Sequence, residues 1–193
     1  ELSPISGTGI IITKEGVILT NAHVAQYFLM RHFREKNFID CVIRTGSPAY
    51  PRYHAELVYI SPTWIEKNKS SLRVENPTGT CENDFALLRI TDAIDGSALP
   101  QFTHIPVNVR ENIDIGEPVV LVSYPAGFLG GLTILQNLNA ASANTTIQDL
   151  ATFSENKIDL ISVGGTVVSQ KGASGGAVVD RYGTLIGIIS IST

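Results

Sequence analysis

Short apolar runs rich in β-branched residues recur along the whole chain, each cut off by glycine, proline or charged residues. Gly9-Ile10-Ile11-Ile12-Thr13 is followed by Lys14-Glu15-Gly16 and then by Val17-Ile18-Leu19-Thr20. Two such runs around a glycine-containing turn predict a β-hairpin. Further strands are expected at 39–44, 53–61, 85–91, 118–124, 135–144, 157–163, 167–168, 176–180 and 184–192. Only the stretch from Ala22 to Lys36, where Val24, Tyr27, Phe28 and Met30 can share a face, suggests a helix. Residues 62–83 read as a long surface loop, and 145–156 as a polar loop. Many short strands with turn punctuation indicate an all-β barrel or sandwich. The polar region from about Asp92 to Gly116 is the natural boundary between two halves, 1–100 and 101–193.

Composition supports this reading and excludes others. The chain has 193 residues, 44% of them hydrophobic and 17% charged, which favours a packed globular protein over a disordered one. The net charge of −4 gives no reason to propose nucleic acid as a partner. No apolar run approaches the length of a membrane span, and no signal peptide is visible at Glu1. Cys41 and Cys81 form no CxxC pair, and the histidines show no HExxH spacing, so no metal or other cofactor is expected. One disulfide or two buried thiols are both compatible with the cysteines.

Lys171-Gly172-Ala173-Ser174-Gly175-Gly176 has the features a serine nucleophile requires. A serine hydroxyl needs a base within reach and donors for the oxyanion that its attack creates. Glycines beside it let the backbone turn sharply and bring N–H groups close to a substrate carbonyl. The N–H groups of Gly172 and Ser174 are the candidate oxyanion donors. A plain glycine turn explains this segment alone equally well. The segment also matches the G-x-S-x-G pattern of α/β-hydrolases, whose order is Ser, acid, His. The last histidine here is His104, so no base follows Ser174 and that reading fails.

The order His, Asp, Ser is available instead. His23 stands at the end of an apolar strand, in Thr20-Asn21-Ala22-His23, where a rigid scaffold opens onto a cleft. Asp84 stands directly before the apolar run that follows Asn83. Each segment alone is weak; the three in order are much stronger. His32, His54 and His104 lack such context and read as surface or structural residues. Trp64 reads as a packing anchor, and Asn83 as a residue that could orient the acid.

The segments Ser6–His23, Asn83–Ile90 and Lys171–Ile188 together resemble trypsin-like serine proteases, in particular the bacterial HtrA (Deg) branch. The resemblance implies two chymotrypsin-like six-stranded β-barrels with the active site in the cleft between them. His23 and Asp84 would lie in the first barrel and Ser174 in the second. It implies a serine endopeptidase acting on polypeptides through an acyl-enzyme. A catalytically silent, protease-like peptide-binding module is the alternative. It further implies that Ser190, Ile191 and Ser192 pair with the substrate backbone as an added strand, and that Val168 borders the side-chain pocket. An extracytoplasmic location (periplasmic or secreted) follows from the same likeness. A membrane tether or PDZ domain outside this chain, and oligomerisation, are compatible with it.

The chain also departs from the family. Family enzymes carry one strand before the region near Ser6, and a strand and helix after Thr193, so terminal strands are expected to be missing here. Ala173 replaces the aspartate that digestive enzymes of this type pair with a new N-terminus, so activation by N-terminal cleavage is not expected.

Overall fold

The computed structural model describes residues 5–33, 35–36, 38–70, 81–107, 110, 112–127, 131–153, 157–164, 168 and 170–190. Two five-stranded antiparallel sheets form the framework of these residues. The first contains β1 (Ile10–Ile11), β2 (Val17–Thr20), β3 (Val42–Thr45), β4 (Tyr50–Ile60) and β5 (Ala86–Ala93), in spatial order β1-β2-β5-β4-β3. The second contains β6 (Pro118–Ser123), β7 (Ala141–Ala151), β8 (Leu160–Val163), β9 (Ala177–Asp180) and β10 (Leu185–Ile188), in order β10-β9-β6-β7-β8. Each sheet curls into a half-barrel, giving the chymotrypsin-like two-barrel fold with five strands in each half.

Alternation of side chains gives each sheet one dry face. In the first, Ile18, Leu88 and Ile90 are buried with Ala25, Ala55, Ala86 and Phe102. Tyr53 meets Phe102 edge-on at 5.4 Å, a favoured aromatic geometry. In the second, Val119, Leu121, Ile147, Val178 and Ile189 form the core with Val168 and Ala173. Leu121 is fully buried, and truncating such a leucine to alanine costs about 2–5 kcal/mol. A third cluster joins the sheets: Ile10 of β1 packs with Ala177 and Leu185 of β9 and β10.

The N-terminal hairpin forms as expected, with Ile10 opposite Leu19 and Gly16 at φ 85° in its turn. Helix α1 (Ala22–Leu29) is shorter than the stretch read from the sequence. Two further helices correct the sequence reading. Within the segment expected to be loop, α2 (Pro62–Asn68) forms because Ser61 caps it, accepting from the Trp64 N–H at 3.3 Å, and a proline opens it. Trp64 is buried, as a packing anchor should be. The strand expected at 135–144 begins later, after α3 (Gly131–Asn137), and runs to Ala151 through the stretch read as polar loop. Its polar residues alternate: Ser142, Asn144 and Thr146 face solvent, while Ala143, Thr145 and Ile147 turn inward. Val168 lies in a turn, not a strand, and Val167 lies outside the described residues. Cys41 and Cys81 are free thiols, each partly buried, so no disulfide joins them.

Candidate active site

Strand register brings His23 and Asp84 together. β2 and β5 run antiparallel with Thr20 opposite Ala86. The residues that follow β2 and those that precede β5 therefore emerge at the same end of the sheet. His23 falls in the first turn of α1, and its Nδ1 lies 2.7 Å from Asp84 Oδ2. The His23 backbone N–H donates to Asp84 Oδ1 at 2.9 Å. One carboxylate thus holds both the ring and the main chain of the histidine. The Asp84 side chain is 6% exposed and that of His23 is 35% exposed, so the acid is sheltered and the ring is open on one side.

The approach to Asp84 is tightly wound. Cys81 and Asn83 adopt positive φ values of 62° and 59°, uncommon for residues with a Cβ. The Asp84 N–H donates to the Cys81 carbonyl at 3.2 Å, and the Phe85 N–H to the Asn83 carbonyl at 2.9 Å. Asn21 reinforces the turn. It occupies the N-cap position of α1 but makes no side-chain cap bond; its Nδ2 donates instead to the Asp84 carbonyl at 2.9 Å. Ser190 Oγ lies 3.2 Å from Asp84 Oδ2 and 3.3 Å from Cys81 Sγ, so the second half of the chain also touches the acid. Sequence reasoning placed Ser190 on the substrate backbone and missed this contact. Asn21 was missed as well. The two residues lie 106 and 63 positions from Asp84, and no local pattern carries such information.

Ser174 sits in the turn before β9. Gly175 N–H donates to the Ile189 carbonyl at 2.8 Å, and Ile189 N–H to the Gly176 carbonyl at 2.7 Å, which aligns the turn with the end of β10. The first half grips the turn directly. Thr8 N–H donates to the Ser174 carbonyl at 2.8 Å, Thr8 Oγ1 to the Gly172 carbonyl at 2.8 Å, and Thr20 Oγ1 to the Thr8 carbonyl at 2.7 Å. The turn is thereby held beside the end of β2 that leads to His23. Among the described residues no hydrogen bond joins the Ser174 hydroxyl to His23.

Among the described residues the N–H groups of Gly172 and Ser174 have no backbone acceptor. The Lys171 carbonyl accepts from Ala126 N–H at 2.7 Å and Gly127 N–H at 3.0 Å; the Ala173 carbonyl accepts from Gly176 N–H at 2.8 Å. In a trans peptide the N–H points opposite to the C=O. The N–H groups of Gly172 and Ser174 therefore point away from those partners, and neither donates to a backbone carbonyl among the described residues. Gly172 has φ 90°, and a Cβ there would lie 2.9 Å from both Ala126 N and the Tyr124 carbonyl. Only glycine satisfies the conformation and the contact together.

Val168, expected to border a pocket, is fully buried in the core of the second sheet, and its carbonyl accepts from Ser123 Oγ at 2.9 Å. Its side chain is committed to packing and leaves no surface for a substrate. Ala173 is likewise fully buried, without polar atoms for an ion pair. Ile191 and Ser192 lie outside the described residues. His54 pairs with Asp92 at 2.6 Å on an exposed surface, and His104 Nδ1 lies 3.2 Å from the Phe102 carbonyl. Among the described residues no group of three or more His, Cys, Asp or Glu could hold a metal ion.

A two-sheet fold that joins a histidine–aspartate pair to a glycine-flanked serine turn defines the chymotrypsin-like protease class. The model of the trypsin-like peptidase domain matches residues 7–188, and the chain belongs to that family. It is similar to y4bJ, an uncharacterized protein of Sinorhizobium fredii, with 26% identity over 188 residues. That match covers 96% of this chain but 22% of the relative's length. Among solved structures the fold is similar to that of Deg5, with a TM-score of 0.62 at 16% identity, over 99% of this chain and 76% of that one. It is also similar to the MamO protease domain from Magnetospirillum magneticum in its apo form. There the TM-score is 0.54 at 17% identity, over 97% of this chain and 77% of that one.

Proposed function

We propose that this chain is an HtrA-like serine endopeptidase, with Ser174 as nucleophile, His23 as general base and acid, and Asp84 as the group that orients the imidazole. The observation that supports the reading is the doubly held His23–Asp84 pair, with the Ser174 turn tied through Thr8 to Thr20 at the end of β2. In the reaction Ser174 Oγ attacks the carbonyl carbon of a peptide bond while His23 takes its proton. Asp84 stays ionised and fixes the tautomer in which Nδ1 carries hydrogen. The carbonyl oxygen becomes an oxyanion and is met by the N–H groups of Gly172 and Ser174. His23 then protonates the leaving amine, and water releases the acyl-enzyme by the reverse sequence. The Ser174–His23 hydrogen bond belongs to the substrate complex in this reading, since such bonds tighten when substrate fills the cleft.

The substrates are polypeptides, and the family likeness assigns Ser190, Ile191 and Ser192 to pairing with their backbone. An extracytoplasmic setting rests on the likeness to HtrA proteases. Among the described residues no helix is long and apolar enough to cross a membrane. A tether, a PDZ domain and self-assembly belong to the same likeness.

Labelling by a fluorophosphonate probe, compared between this chain and Ser174→Ala with casein cleavage alongside, tests the proposal. Labelling and cleavage that vanish together in the variant support it. A folded chain that takes up no probe is instead the silent peptide-binding module.

A further inference from the structure

The turn between β3 and β4, residues Gly46 to Ala49, reaches across from the first sheet and docks on the second half of the chain. Ala49 N–H donates to the Leu138 carbonyl at 2.7 Å, and Ala140 N–H to Ser47 Oγ at 3.2 Å. Arg44 binds the Ala49 carbonyl through Nε and Nη2 at 3.1 and 2.6 Å and also donates to the Leu135 carbonyl. Ala49 is buried against Ala126 and Leu138, with Tyr124 and Ile134 alongside. The Tyr124 hydroxyl completes the contact, donating to the Gly46 carbonyl at 3.0 Å.

What this turn grips is the support of the candidate oxyanion site. Tyr124 N–H donates to Thr8 Oγ1 at 3.0 Å, and the same Thr8 hydroxyl donates to the Gly172 carbonyl. Two residues further on, Ala126 and Gly127 hold the Lys171 carbonyl. A rotation of the Lys171–Gly172 peptide would have to break both of those bonds. The segment from Tyr124 to Gly127 is thus clamped at one side by the β3–β4 turn and fixes the Gly172 N–H at the other.

We propose that the β3–β4 turn is a positioning clamp for the oxyanion site, acting through Tyr124 and Arg44 on the Lys171–Gly172 peptide. The clamp rests on the endopeptidase reading for its effect on rate. It stabilises the peptide orientation in which Gly172 N–H is free for the oxyanion. With Ala173 unable to form an ion pair, this contact between the halves supplies order that the turn requires. Tyr124 and Arg44 act through the peptide and touch no substrate.

The test uses Tyr124→Phe, which removes only the hydroxyl, and Arg44→Ala, each on the full chain. Losing an oxyanion donor outright costs about 10²–10³ in rate, so loosening one is expected to lower kcat on a peptide substrate about tenfold with KM unchanged. Thermal midpoints are expected to stay within about 2 °C in Tyr124→Phe. Unchanged kcat in both variants, or a loss that only follows the unfolded fraction, overturns the clamp. Amide hydrogen exchange at Ala126 and Gly127, with the Gly172 amide resonance, reads the clamp without activity. Exchange about tenfold faster and a shifted Gly172 resonance are expected in both variants; unchanged amides overturn the proposal. If the parent chain takes up no fluorophosphonate, the endopeptidase reading fails by itself, and the amides still decide the clamp.

Discussion

Asp84 holds His23 at two points, through Oδ2 to the ring Nδ1 at 2.7 Å and through Oδ1 to the backbone N–H at 2.9 Å. The second bond fixes the main chain from which the ring projects, so one carboxylate holds both the backbone and the imidazole of His23. Asp84→Asn keeps an oxygen for the backbone N–H but offers an amide hydrogen to Nδ1, which selects the wrong tautomer. A fall of about 10⁴ in kcat is expected, with the fold intact. Steady-state kinetics beside a far-ultraviolet spectrum checks this; a loss below about tenfold would remove Asp84 from the mechanism.

Gly175 sits where the two halves meet and leaves no room for a side chain. It has φ 85°, and a Cβ there would stand 2.0 Å from the Thr8 carbonyl oxygen and 2.3 Å from Thr20 Oγ1. Neither neighbour can withdraw easily: Thr20 Oγ1 donates to that same carbonyl, and Thr8 N–H is bonded to Ser174. Gly175→Ala therefore has to push the halves apart. A loss of about 3 kcal/mol is expected from overpacking and the left-handed backbone together. Chemical denaturation measures it, and probe labelling of Ser174 should fall even where the variant remains folded. Stability equal to the parent's would show that the turn has room the packing denies.

The three motif segments were legible because their signals are local. Glycine and serine spacing marks the Ser174 turn, and apolar runs mark the strands that carry His23 and Asp84. The registers that bring those segments together were not. Nothing near Asn21 announces that its amide will leave the helix cap and cross to the Asp84 carbonyl. Strand β7 was read short because its exposed face is polar, which hides a period of two behind residues common in loops. Helix α2 escapes a reading by periodicity because seven residues show too little of it, although Ser61 and Pro62 are start signals in the sequence. Val168 was placed by likeness to a family position, while its packing depends on Val119, Leu121 and Val178, which sequence order does not connect.

The Ser61 cap offers a direct measure of how much α2 contributes. Ser61 is 3% exposed and its Oγ accepts from the Trp64 N–H, so the cap and the buried tryptophan are anchored together. Ser61→Ala removes the acceptor and leaves the N–H without it, at an expected cost of about 1 kcal/mol. For a chain of this length that lowers the thermal midpoint by about 2–4 °C. Calorimetry decides; an unchanged midpoint would mean that Trp64 packing alone holds the helix.

Acid sensitivity should originate in the second half. Arg110 lies 2.5 Å from Glu117 and 3.3 Å from Asp180, whose side chains are almost wholly buried. The Arg110 hydrogen bond holds the Glu117 carboxyl below its ordinary range, against the opposing effect of burial. Burial pushes Asp180 up, but the backbone N–H groups of Thr184 and Tyr182, with Arg110, outweigh it and leave the carboxyl low. Both groups bind protons more weakly folded than unfolded. Their stabilisation is thus fully present above the unfolded values of about 3.9 and 4.3 and is lost as pH falls through the lower, folded ones. Arg110→Gln removes the cation, lets both carboxyls rise, and should move the acid-unfolding midpoint to higher pH. A pH titration followed by fluorescence of Trp64 and the tyrosines measures that shift. A midpoint that stays in place would assign acid unfolding to other carboxylates, among which the exposed Asp92, held low by its hydrogen bond to His54, is the next to test.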